Sequence, residues 1–211
     1  MKTLFIDVDS QMDFLYPAGA LYVPGAERVV ANIARLNHYA AANGITVIST
    51  VDSHTENDPE FKSWPPHCIA GTTGQHKAEA TLLARRIVLP NCEVPLVIEG
   101  AQQIVIEKQS VDVATARNFA RVVERLAADR FVLYGVVTEI CVLFAARALV
   151  PFGKPITLVT DAVAGLTDDA SRAAQAEIQA AGGALATTSE VFSALTSASP
   201  RLCVEDHARG T

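Results

Sequence analysis

The chain has 211 residues, 50% hydrophobic and 19% charged, with a formal net charge of −6. That is enough apolar material for one α/β domain with a large core, and no shift in composition divides it. No basic run is present to meet nucleic acid or an anionic membrane, and no apolar run approaches the length of a membrane span.

Leu4-Phe-Ile-Asp-Val-Asp9 reads as a strand ending in acid. Alternation puts Asp7 and Asp9 on one side, with Asp9 nearer the C-terminal end, where open parallel sheets bind ligands. The two acids interrupt the N-terminal apolar stretch, so it does not read as a secretory signal. A loop marked by Gly and Pro runs to Gly25. Glu27 to Asn43 carries apolar residues at 29, 30, 33, 36 and 40, a helical spacing that Gly44 stops. Ile45 to Val51 is a β-branched strand that runs into Asp52-Ser-His54, two side chains on one face at a strand end. The long loop from Thr55 to Gly74 holds Glu60, Trp64 and His67, and such segments in compact domains are usually functional.

Lys77 to Arg86 reads as a short helix, and Ile87 to Val97 as short strands or extended chain. Ile104 to Lys108 is the next strand, with Lys108 at its end. Val113 to Ala128 is an amphipathic helix. Phe131 to Tyr134 is a buried strand that breaks at Gly135 and passes into a helical pattern from Cys141 to Leu149. Pro155 to Asp161 is a strand, Asp168 to Ala181 a helix closed by Gly182-Gly183, and Ala184 to Thr188 a last short strand. Ser189 is expected to cap a final helix to Leu195. The domain is expected to span 1–196, with 197–211 a loose tail.

The alternation of strands and helices predicts a parallel sheet covered on both faces. The cysteines at 68, 92, 141 and 203 form no Cys-x-x-Cys pair and no disulfide framework, so a reducing cytoplasm is the expected compartment.

Asp9, Lys108 and Cys141 stand at the ends of three strands whose C-terminal ends converge on one crevice. They supply a base, a cation and a nucleophile, the set that acyl transfer through a thioester needs. At the start of a helix, unpaired N–H groups favour a Cys141 thiolate and face a developing oxyanion. Asp9 is expected to take the thiol proton, and Lys108 to hold Asp9. Asp52, His54 and His67, with Glu60 as a further candidate, form a set suited to Zn²⁺, Fe²⁺ or Mn²⁺.

Two motifs carry a family resemblance. Gly135-Val-Val-Thr-Glu-Ile-Cys141-Val resembles the Gly-x-x-Thr-(acid)-x-Cys-Val motif of the isochorismatase-like cysteine hydrolases, and Asp9-Ser-Gln-Met-Asp13-Phe14 resembles that family's start. Asp52-x-His54 and Trp64-Pro-Pro-His67-Cys-x-x-Gly-Thr-x-Gly74 are similar to the nicotinamidase (pyrazinamidase) subfamily. The resemblance implies a Rossmann-like three-layer α/β/α sandwich with a six-stranded parallel sheet. It implies an Asp9–Lys108–Cys141 triad, and a cis peptide between Val136 and Val137 that aims the N–H of Val137, with that of Cys141, into an oxyanion hole. It further implies one divalent metal on Asp52, His54 and His67, with zinc expected ahead of iron or manganese, Glu60 as fourth ligand, and Phe14 and Trp64 sandwiching the substrate ring. The implied activity is hydrolysis of nicotinamide to nicotinate and ammonia by a cytoplasmic homo-oligomer. The nearest alternative is a hydrolase of a maleamate, ureido or N-carbamoyl compound; the distant one is a non-catalytic binding protein on the same fold. Three departures stand out. Ser10 replaces an apolar residue, Glu139 an Asp expected to cap the helix, and the segment after Lys108 lacks the usual Phe-Ser or Tyr-Ser.

Overall fold

A computed structural model describes residues 1–197; the expected tail lies, from 198 onward, outside the described residues. Seven strands form one parallel sheet: β1 (Thr3–Val8), β2 (Thr46–Asp52), β3 (Arg86–Leu89), β4 (Gln103–Lys108), β5 (Arg130–Val136), β6 (Ile156–Ala164) and β7 (Ala184–Ala186). Their order is β3-β4-β2-β1-β5-β6-β7. The seventh strand, beyond the six expected, is the short half-exposed edge β3, whose four residues carry too weak a pattern to separate from extended chain.

The helices are α1 (Met12–Leu15), α2 (Val30–Ala42), α3 (Phe119–Leu126), α4 (Leu143–Leu149), α5 (Asp168–Ala180) and α6 (Thr188–Ser197). The chain steps one way across the sheet through α2 and the other way through α3, α4 and α5. Right-handed crossovers therefore put α2 on one face and the other three on the opposite face. Tyr39 of α2 stacks on Phe192 of α6 at 4.2 Å, which places α6 beside α2. The strands are buried from both sides, with Phe5, Ile6, Ile48, Ile104, Ile106 and Leu133 among the core residues. Each such side chain is worth about 1.5–3 kcal/mol of burial. A second, smaller core of Phe14, Leu15, Val23, Cys68, Val136 and Val137 supports the loops above the sheet.

Tertiary contacts override several local patterns. The helix expected from Glu27 opens as a 3-10 turn, Ala26–Val29, before α2. The helix expected over Val113 to Ala128 divides into a 3-10 turn, Val113–Thr115, capped by the Asp112 side chain, and α3. Over Lys77 to Arg86 only a 3-10 turn, Glu79–Thr81, forms. Lys77 is held extended there: its backbone bridges Gln11, and its buried ammonium reaches Asp7 (3.0 Å) and Ser10 (2.5 Å). At α6 the reciprocal capping pair is Thr187 and Glu190, not Ser189, which lies inside the helix.

Asp7 and Asp9 do not share a face. Asp9 has φ 47°, in the left-handed region that Asp tolerates better than most residues, and this breaks the strand's alternation. Asp7 turns toward α2 and accepts from Asn37, Ser49 and Ser10, while Asp9 turns the other way to accept from Thr50. The polar Ser10 thus belongs to a buried network beneath the site, with Asp7 and Lys77.

Candidate active site

β1 lies between β2 and β5, so the sheet reverses its winding at the end of β1. The ends of β1, β2, β4 and β5 deliver Asp9, Asp52, Lys108 and the Cys141 turn to that point. The close approach of β5 to β1 depends on Gly135. Its φ is 122°, and a Cβ there would stand 2.1 Å from the Val8 carbonyl oxygen. The peptide between Val136 and Val137 is cis, and the chain then makes a five-residue π turn, Thr138–Val142, before α4. Cys141 therefore sits in a π turn rather than in the first turn of an α-helix.

The charges of the triad close on Lys108. Its Nζ lies 2.9 Å from Asp9 Oδ2, 2.5 Å from Asp52 Oδ1 and 3.9 Å from Cys141 Sγ, and all four residues are buried. Burial alone would lower the Lys108 pKa, but the Asp52 and Asp9 carboxylates hold it well above the ordinary lysine value. Lys108 is therefore a fixed cation. Asp9 is pushed up by burial and by the Asp52 charge, against the pull of Lys108. Its Oδ1 accepts from Thr50 at 2.6 Å, while its buried Oδ2 is held by the Lys108 charge without a hydrogen bond of good geometry. Burial also drives the Cys141 thiol well above the usual cysteine value, with Lys108 opposing and Asp9 adding to the rise. Desolvation thus works against the field of the turn, and a thiol of raised proton affinity faces a carboxylate that is also raised.

Asp52, His54 and His67 each offer a ligand atom within 4.8 Å of the others, and all three are buried. Asp52 Oδ2 faces His54 Nε2 at 3.9 Å and His67 Nε2 at 3.6 Å. The other nitrogen of each ring faces an acceptor: His67 Nδ1 bonds the Pro65 carbonyl at 2.7 Å, and His54 Nδ1 lies 3.2 Å from the Asp58 carboxylate. Such outer contacts fix ring tautomers in metal sites. Both His54 ring nitrogens are buried without a hydrogen bond of good geometry; Nδ1 faces Asp58, while Nε2 faces Asp52 at 3.9 Å. An orphaned imidazole nitrogen facing a carboxylate and a second imidazole fits a divalent cation. Burial lowers the His54 pKa, but Asp52 and Asp58 more than offset it, and the ring is held above its ordinary value. Glu60 stands apart from these three. It is half-buried on the cavity wall but outside the three-residue cluster, and burial, then Asp52, raises its pKa.

A cavity lies over Cys141, with Asp52, Glu60 and His67 on its wall. Phe14 and Trp64 line it, with Val137 of the expected oxyanion hole, and Phe14 packs against His67 with ring centroids 5.4 Å apart. Leu21, Val23, Val111, Ile140 and Leu166 complete the lining and were not singled out by the sequence. Val111 stands in the segment that departs from the usual Phe-Ser or Tyr-Ser.

Gln11 and Asp13, both in the N-terminal motif, hold the metal loops. The Gln11 side chain donates to the Asp52 carbonyl and accepts from the Asp52 N–H, at 2.8 and 2.7 Å. Asp13 accepts from the N–H of Cys68, next to His67, at 2.7 Å, where Cys68 itself has φ 44°. These contacts close over 41 and 55 residues, so spacing alone gave no signal of them. Glu139 does not cap its own helix. Its carboxylate accepts from the Leu166 N–H (2.8 Å) and the Ser171 hydroxyl (3.2 Å).

The chain is similar in sequence and fold to known proteins. A curated relative, an uncharacterized isochorismatase family protein, PncA, of Bacillus subtilis, is 37% identical over 79 residues, 36% of this chain and 43% of that protein. The nicotinamidase of Escherichia coli is 23% identical over 208 residues, 87% of this chain and 93% of that one. Among solved structures, a pyrazinamidase/nicotinamidase from Streptococcus mutans superposes with TM-score 0.75 at 26% identity, covering 88% of this chain and 100% of its own. A pyrazinamidase of Pyrococcus horikoshii in complex with zinc superposes with TM-score 0.72 at 23% identity, covering 89% and 99%. The model of the isochorismatase domain matches residues 3–89 and 90–190, and with fold and motifs in agreement the chain belongs to the isochorismatase family.

Proposed function

We propose that the protein is a metal-containing amidase that hydrolyses nicotinamide to nicotinate and ammonia through a thioester on Cys141. The observation that carries this reading is that Asp52 and His67, two of the three metal donors, open onto the same cavity as the thiol. A divalent ion held by Asp52, His54 and His67 would supply a Lewis-acid anchor for a ring nitrogen. Zinc suits these donors and is bound by the Pyrococcus relative.

The chain's own residues do the rest. Phe14 and Trp64 hold the flat ring. Cys141 Sγ attacks the carboxamide carbon while its proton passes to Asp9, and the N–H groups of Val137 and Cys141 receive the oxyanion. Asp9 returns the proton to the nitrogen, ammonia leaves, and the thioester remains. Water then attacks the thioester carbon and gives a proton to Asp9. Collapse releases the acid, and Asp9 reprotonates the sulfur. Lys108 stays charged throughout and balances whichever of Asp9 and Cys141 is anionic.

The lining favours a neutral amide. Its side chains include no lysine or arginine to pair a substrate carboxylate, and a metal on Asp52, His54 and His67 would be engaged by the ring nitrogen, so an anionic amide would be buried without a side-chain partner for its carboxylate. The test is ammonia release from a panel: nicotinamide and pyrazinamide against maleamate and N-carbamoylsarcosine. The neutral ring amides are expected to lead by about 100-fold in kcat/KM; a preference for the anionic amides would overturn the reading.

A further inference from the structure

Glu139 has a place that the chemistry above does not use. It sits in the π turn two residues before the nucleophile, yet its side chain reaches across to the loop between β6 and α5. There it accepts from the Leu166 N–H (2.8 Å) and the Ser171 hydroxyl (3.2 Å). Gly165 leaves room for the carboxylate as it lies: a Cβ there would stand 2.1 Å from both Glu139 Oε2 and Ser171 Oγ and would displace these side-chain ends. Among the described residues no lysine or arginine pairs with Glu139, so the two hydrogen bonds are its work. Ile140, next to Glu139, and Leu166 at the other end of the tie both line the cavity over Cys141. Leu166 is 39% exposed, too little packed to hold its place by burial alone.

We propose that Glu139 is a positioning residue that fixes Leu166 as a wall of the acyl cavity, and so sets the size of the acyl group that reaches Cys141. The inference rests on the reading of Cys141 as the nucleophile, and it assigns acyl-size selectivity to a contact remote from the reacting atoms. Glutamine at 139 keeps an acceptor for the Leu166 N–H, and the Ser171 hydroxyl can turn to accept from its NH₂. Alanine loses both bonds. Aspartate keeps the charge but is a methylene short.

The direct test needs no turnover. The protein is alkylated with iodoacetamide and, separately, with N-phenylmaleimide, and the rate at Cys141 is read by peptide mass spectrometry. Glu139→Ala is expected to raise the bulky-to-small rate ratio about fivefold or more, with Glu139→Gln near wild type. Glu139→Asp, a milder change, is expected to lie between them and serves if the alanine variant does not fold. Leu166→Ala should raise the ratio similarly, and the double variant should add little to either single change. In turnover, Glu139→Ala should raise KM for the best amide about tenfold, with kcat changed much less, and Glu139→Gln should restore it. An unchanged size ratio in Glu139→Ala or Glu139→Asp, or independent multiplication of the Glu139 and Leu166 effects, overturns the proposal. Failure of the wild type to release ammonia from nicotinamide would sink the substrate reading alone, because the size ratio is measured on the thiol itself.

Discussion

Asp9→Asn separates catalysis from stability at this site. The buried cluster carries one cation, Lys108, between two carboxylates, Asp9 at 2.9 Å and Asp52 at 2.5 Å. Neutralising Asp9 leaves Lys108 and Asp52 as a balanced pair. The carboxamide can put its oxygen toward Lys108 and its NH₂ toward the Thr50 hydroxyl, which turns to accept. Because burial and the Asp52 charge raise the Asp9 pKa above its unfolded value, the folded state binds this proton more tightly than the unfolded chain. The stability so contributed is present below the unfolded pKa and lost as pH rises through the folded pKa. At neutral pH the ionised Asp9 is therefore no source of stability through this route, and the variant should stay within about 1 kcal/mol of wild type, a Tm change within about 4 °C. Catalysis should fare differently, since an amide takes no proton from the Cys141 thiol. A loss of at least about 10³-fold in kcat is expected. The assay is ammonia release from nicotinamide beside a thermal melt. A variant with more than about a tenth of wild-type kcat would refute Asp9 as the base; one unfolded at 25 °C would refute the charge argument.

Gly135→Ala drives a Cβ to 2.1 Å from the Val8 carbonyl oxygen at φ 122°. It should cost about 2 kcal/mol or more in denaturant unfolding; a neutral result would mean that β1 and β5 can part there. Asp58→Ala removes the carboxylate that faces His54 Nδ1 and should weaken zinc binding about 10–100-fold in a competitive chelator titration, with unchanged affinity counting against a metal on His54. Chelation of the metal from wild-type protein should raise KM for nicotinamide more than it lowers kcat. Full activity in protein shown by elemental analysis to be metal-free would refute the anchor.

The parts of the site that stand at strand ends were legible because burial makes strands apolar and any charge at their termini conspicuous. Asp9, Asp52, Lys108 and the Gly135–Cys141 turn were visible in this way, and so was the parallel α/β sheet. What was not legible depends on closure over long separations or on backbone sign. The φ of 47° at Asp9 sends Asp7 to the opposite face, and no alternation rule reveals that. Asp58 looks like a turn residue until the loop folds back on His54. Val111 and Leu166 look like ordinary loop hydrophobics, because nothing local marks them as cavity walls. The burial of Cys141 was not legible either: the strand-to-helix turn suggests a field that favours a thiolate, and only the closed fold shows the desolvation that opposes it.

The most direct test of the account is ammonia release from nicotinamide by Cys141→Ala. The substitution removes one sulfur from a 5% exposed position and should leave the fold intact by circular dichroism. Turnover should vanish, with nicotinamide binding retained. Ammonia release by the folded variant within about tenfold of wild type would contradict a covalent role for Cys141 and the mechanism built on it.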